Sequence, residues 1–131
     1  MEKPTRILQV LNDMTLGGAE TMVMNYYRNI DRNKVQFDFL LHNKDKGDYD
    51  DEIKALGGKL LYLPKIGPFN LFKYNRKLSD LFKEHPEYQI VHSHLNAMSG
   101  FVLNVAKKNS IPVRIAHAHL AVEPYVLMNI F

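Results

Sequence analysis

The apolar pattern of residues 6–30 reads as a strand, a glycine turn and a helix. Ile7, Leu8, Val10 and Leu11 make a short, nearly continuous apolar run, as expected of a strand buried on both faces. A polar loop follows and closes on Gly17-Gly18. From Ala19 the period becomes helical, with Ala19, Met22, Val23, Tyr26, Tyr27 and Ile30 on one face. A strand that delivers its carboxyl end into a glycine turn and a helix N-terminus is a common anion- or ligand-binding arrangement.

The same alternation recurs downstream. Val35, Phe37, Phe39, Leu40 and Leu41 predict a second strand, followed by a charged loop over 42–51 that should be exposed. A short helix over 49–56 ends at Gly57-Gly58, and 59–63 is a short third strand. Asn70 caps a helix over 71–84, with Leu71, Tyr74, Leu78, Leu81 and Phe82 at helical spacing, and His85-Pro86 stops it. Residues 90–94 form a fourth strand, and 98–109 a helix with Phe101, Val102, Val105 and Ala106 inward. A fifth strand covers 113–117. The final stretch, 120–131, is apolar without a closing helix pattern and reads as a chain that stops in mid-structure.

Five strands alternating with four helices predict one α/β domain over 1–131. Its expected form is a Rossmann-like open parallel sheet with helices on both faces and right-handed crossovers. Composition agrees with this, at 46% hydrophobic and 24% charged residues. No apolar run approaches the roughly 18–20 residues of a membrane span, and the first residues lack a signal-peptide core. Without cysteine, disulfides and thiolate metal sites are excluded, so a cytoplasmic home is expected. The charge of +3 permits an acidic surface or phosphorylated ligand as partner, but no arginine-rich or aromatic–basic repeat marks a nucleic-acid reader.

Three groups of residues carry candidate chemistry. Gly17-Gly18 removes side chains where a ligand would meet backbone amides, with Glu20 in the first helical turn. Neither a dinucleotide fingerprint nor a P-loop fits this spacing, and a plain tight turn explains the glycines as well. The second group is a pair of doublets, His92/His94 and His117/His119, each at a strand end with both imidazoles on one face. With strand order 3-2-1-4-5, the glycine loop and His92/His94 border one crevice at the point where the order reverses. Four histidines raise the question of zinc, but no carboxylate stands in a familiar ligand spacing, and no metal is expected. Weaker candidates are Asp13, which an Asx turn also explains, and Asn96, Ser99 and Gly100 at the end of the fourth strand. Phe69, Phe72 and Tyr74 among Lys73, Arg76, Lys77 and Lys83 read as a core face with a basic back, leaving a peripheral membrane contact as the alternative.

Taken in order, the run 6–10, Gly17-Gly18-Ala19-Glu20, 90–94 and 114–119 resembles the first half of a family 4 glycosyltransferase, of the type that builds bacterial capsular or exopolysaccharide. The resemblance implies a GT-B architecture, with an acceptor domain and a nucleotide-sugar domain facing a cleft. It implies retaining transfer from a nucleotide sugar, of the UDP class, to a saccharide or lipid-linked acceptor, without a cofactor or catalytic metal. It places Gly17, Gly18 and Glu20 near the donor phosphates and His94, with His92, at the catalytic position. Asp13, Asn96, His117 and His119 then fall on the acceptor side of the cleft. The donor half with its paired-glutamate motif is absent from these residues, so the chain by itself is expected to be inactive and to need that domain as partner. The competing readings are a non-catalytic sugar- or partner-binding domain of the same fold and a small nucleotide-binding regulator.

Overall fold

The computed structural model describes residues 2–119. Its strands are β1 (Thr5–Val10), β2 (Val35–Leu41), β3 (Leu60–Tyr62), β4 (Tyr88–Ser93) and β5 (Val113–Ala116). The helices are α1 (Gly18–Asn29), α2 (Asp50–Ala55), α3 (Leu71–Glu84) and α4 (Ser99–Lys108), the last preceded by a 3-10 turn over Asn96–Met98. All strand pairs are parallel, in the order β3-β2-β1-β4-β5. The order reverses between β1 and β4, so the predicted Rossmann-like α/β sheet and its switch point are both present. The reading of 120–131 lies outside the described residues.

Each face of the sheet has its own core, because alternate strand residues point to opposite sides. On one face Leu8, Val10 and Val91 pack with Tyr74 and Leu78 of α3 and Val102 of α4. On the other, Phe37 and Phe39 pack with Val23 and Tyr27 of α1 and Ile53 of α2. The Tyr27 ring stacks on Phe37 at 5.2 Å between centroids. Side chains of this size each contribute about 1.5–3 kcal/mol by leaving water, which is what holds the helices to the sheet.

A carboxylate is buried within the sheet. Asp38 of β2 has no solvent exposure and accepts from Arg6 Nη1 (3.0 Å), Tyr88 Oη (2.7 Å) and the Lys59 amide (2.9 Å). These bonds tie β1, β4 and the entry to β3 onto β2. Burial, and then the bond to Asp38, push the Tyr88 phenol well above its ordinary pKa.

Several expectations about faces fail for a common reason: local periodicity does not know how wide the neighbouring layer is. Tyr26 of α1 and Phe101 of α4 share the apolar stripe of their helices yet stand in solvent at its margin. Phe69 and Phe72, expected in the core, are 100% and 90% exposed, and only Tyr74 of that stripe is buried. The loop over 42–51 is not wholly exposed either. His42 is buried between the Leu11 carbonyl (2.8 Å) and Tyr74 Oη (2.6 Å), and Tyr49 and Asp50 are buried as well.

Candidate functional site

The site is built where β1, β4 and β5 end. Gln9 lies in register with His92, and His92 with Ile115, so these residues project from one face of three adjacent strands. The two-residue step along each strand adds His94 beyond His92 and His117 beyond Ile115. Backbone bonds carry the pairing past the strand ends: the His94 amide donates to the Val10 carbonyl and the His117 amide to the Ser93 carbonyl, both at 2.9 Å. The sheet thereby gathers both histidine doublets into one cluster.

The four rings touch. His92 Nε2 lies 3.3 Å from His117 Nδ1, and His94 Nδ1 lies 2.7 Å from His119 Nε2. Ring centroids of His92 and His94 are 4.0 Å apart, and those of His117 and His119 are 4.1 Å apart. On its other side His94 donates from Nε2 to Gln9 Oε1 at 2.7 Å, which leaves Nδ1 as the acceptor for His119. His94 is 5% exposed. Burial, and then the neighbouring imidazoles, pull its pKa down to about 2, and the same causes bring His92 to about 4. His119 is also lowered, chiefly by burial. His92 and His94 are therefore neutral at pH 7, and they act through N–H and lone pair rather than through charge.

The other predicted residues divide. Asn96 has a left-handed backbone (φ 54) and accepts the His119 amide at 2.9 Å, so it clips the segment after β5 to the end of β4. Asp13 forms the Asx turn, accepting from Thr15 Oγ1 at 2.8 Å, and faces its own loop rather than the cluster. Ser99 is buried and bonded to Ser93 at 2.8 Å, joining α4 to β4. Gly17 precedes α1 in extended backbone without a side-chain cap, so that helix end keeps its backbone donors for other partners. A Cβ on Gly17 would strike the Glu20 carboxylate, which folds back over the turn, whereas a Cβ on Gly18 would meet nothing within 4 Å. The glycine turn and the histidines share the carboxyl edge of the sheet, and the link between β1 and the cluster is Gln9.

Gln9 is the participant that the sequence analysis missed. Its signal was present: a buried amide in the apolar run of a central strand needs a partner. A cavity of about 370 Å³ also adjoins the cluster, lined by Gln9, His92 and His117 on the sheet and by Met22, Tyr26 and Ile30 from α1 and its end.

Residues 16–128 match the Glycosyltransferase Family 4 domain. The chain belongs to that family. It is 46% identical over 114 residues to a putative glycosyltransferase, EpsF, of Bacillus subtilis (strain 168), covering 87% of this chain and 30% of the relative. It is 26% identical over 112 residues to the capsular polysaccharide biosynthesis glycosyltransferase CapH of Staphylococcus aureus, again across 30% of that protein. The fold is that of MurG from Acinetobacter baumannii, with a TM-score of 0.67 at 15% identity, over 97% of this chain and 38% of that one. This family 4 chain thus spans about a third of the length of the proteins it matches. Among the described residues no helix is long and apolar enough to cross a membrane.

Proposed function

We propose that this chain forms the acceptor-side wall of a retaining glycosyltransferase. The full enzyme moves a sugar from a nucleotide sugar, of the UDP class, to a saccharide or lipid-linked saccharide in surface-polysaccharide synthesis, on the cytoplasmic side. The observation that carries the reading is the buried, neutral His94 at the switch point of a family 4 chain, with its ring held by Gln9. The uncapped turn at Gly17-Gly18 suits the donor phosphates, because open amides at a helix N-terminus attract anions. His94 contributes by accepting a hydrogen bond from a sugar hydroxyl at its Nδ1 lone pair, reached when His119 turns aside. His92 and His117 line the acceptor side, and Asn96 positions His119. No metal or cofactor takes part in the transfer itself. The donor is held by a second domain, since positioning of the activated sugar is worth far more than any acid–base help from one wall.

The full-length protein is assayed with UDP-sugars and lipid-linked acceptors from its own cells. Replacing His94 with Ala should lower kcat by about 10²–10⁴-fold, measured well below the melting temperature of the variant, which falls because the buried Gln9 carbonyl loses its donor. Unchanged turnover in that variant would remove His94 from the mechanism. A second contact belongs to the same reading. Phe69 and Phe72 stand out at the start of α3, which also carries Lys73 and Arg76, a pairing that suits an anionic lipid surface, where such an acceptor would reside.

A further inference from the structure

We propose that His92, His94 and His117 bind one late first-row divalent metal ion, of the zinc class, across the ends of β4 and β5. One ring nitrogen from each lies within 4.8 Å of the others. The 3.3 Å between His92 Nε2 and His117 Nδ1 is close to the spacing two nitrogens adopt on one tetrahedral zinc, about 3.3 Å for Zn–N bonds of roughly 2.0–2.1 Å. Gln9 supplies what metal-bound histidines usually have, a carbonyl that takes the other ring N–H. By accepting from His94 Nε2 it turns the Nδ1 lone pair toward the cluster. The ligands also stand on paired strand ends rather than on a free loop, because the His117 amide is bonded to Ser93.

The donor set selects the ion. Three imidazoles without carboxylate or thiolate disfavour calcium and magnesium and suit zinc, nickel or copper(II). His119 Nε2 now sits against His94 Nδ1, so it must rotate off that lone pair to admit the ion, which leaves it beside the vacated fourth position. Once the ion is bound, each ring carries its single N–H on the outer nitrogen, so one ring of the His92–His117 pair must change tautomer. The sequence set zinc aside because no carboxylate stands near the four histidines in a familiar ligand spacing. The third ligand comes from the neighbouring strand, and linear spacing does not show it.

The inference rests on this geometry alone and is read by metal binding, not turnover; a bound ion occupies the His94 Nδ1 lone pair and would therefore inhibit sugar transfer. The protein, in the form its cell makes, is stripped with chelator and titrated with Zn²⁺ by calorimetry and with Co²⁺ by visible absorption. One equivalent should bind with Kd at or below about 10 μM, and cobalt should give the intense bands of a four-coordinate site. His92→Ala and His117→Ala should each weaken binding at least about 10-fold, and Gln9→Leu by about 10–100-fold. His85→Asn should change nothing, since that ring pairs with Glu87 away from the cluster. Absence of a saturable single equivalent overturns the proposal, and so does binding that survives His92→Ala together with His117→Ala. Should those variants fail to fold, the Gln9→Leu titration decides: unaltered affinity there sinks it.

Discussion

At the scale of single residues, the strongest commitments are polar groups that folding has buried. Asp38 holds three partners inside the sheet, and its charge is balanced by Arg6. Replacing Arg6 with Met should cost about 3–5 kcal/mol in urea unfolding, because it strands a buried carboxylate. Tyr74→Phe is milder. It removes only the hydroxyl bonded to the buried His42, and a loss of about 1–3 kcal/mol is expected in the same unfolding measurement. Both residues were readable as strand or helix members of their stretches. Their partners were not, since Arg6 and Asp38 stand 32 residues apart and meet only through the β1–β2 register.

At the scale of elements, two glycines of the same type answer different questions. Gly58 ends the α2 connection with Tyr27 Oη at 2.7 Å and the Phe37 carbonyl at 2.9 Å from where a Cβ would stand. Gly58→Ala should therefore destabilise by about 1–3 kcal/mol through overpacking. Gly18 opens α1 with free space around it. Gly18→Ala should leave the melting temperature unchanged or slightly raised. Under the proposed function the same variant weakens nucleotide-sugar binding, read by NMR shifts in α1. Equal affinity in the variant would return Gly17-Gly18 to the plain tight turn that the sequence also allowed. The helix limits of α3 matched the periodic pattern residue for residue, yet its exposed aromatic end did not. Phe69 and Phe72 precede or open the helix where, among the described residues, no second layer lies above them.

At the scale of the whole molecule, the buried histidines set a pH response. His42, His92 and His94 have pKa values lowered from the ordinary 6.5, in each case chiefly by burial. The unfolded chain therefore takes up protons first as pH falls. Their contribution to stability is full above about pH 6.5 and drains away below it, for His92 down to about pH 4. Urea midpoints should be level above pH 7 and decline between 6.5 and 4, and a midpoint rising with acid would contradict neutral burial. Phe69→Ser together with Phe72→Ser tests the outer surface. Binding to anionic vesicles should drop several-fold while stability holds, because neither ring contributes to the core.

Sequence alone determined the number and order of elements, the two-sided burial of the central strands and the membership of the histidine doublets on strand ends. Those features are encoded in apolar periods and turn residues that act over a few neighbours, and local sterics enforce them. Tertiary structure decided what meets across strands: Gln9 against His94, His92 against His117, Asn96 against His119, and His42 inside rather than out. Those contacts depend on register and on which helix covers which part of the sheet. Register is a property of paired strands, so residues 25 or 85 positions apart become neighbours only once the sheet has closed.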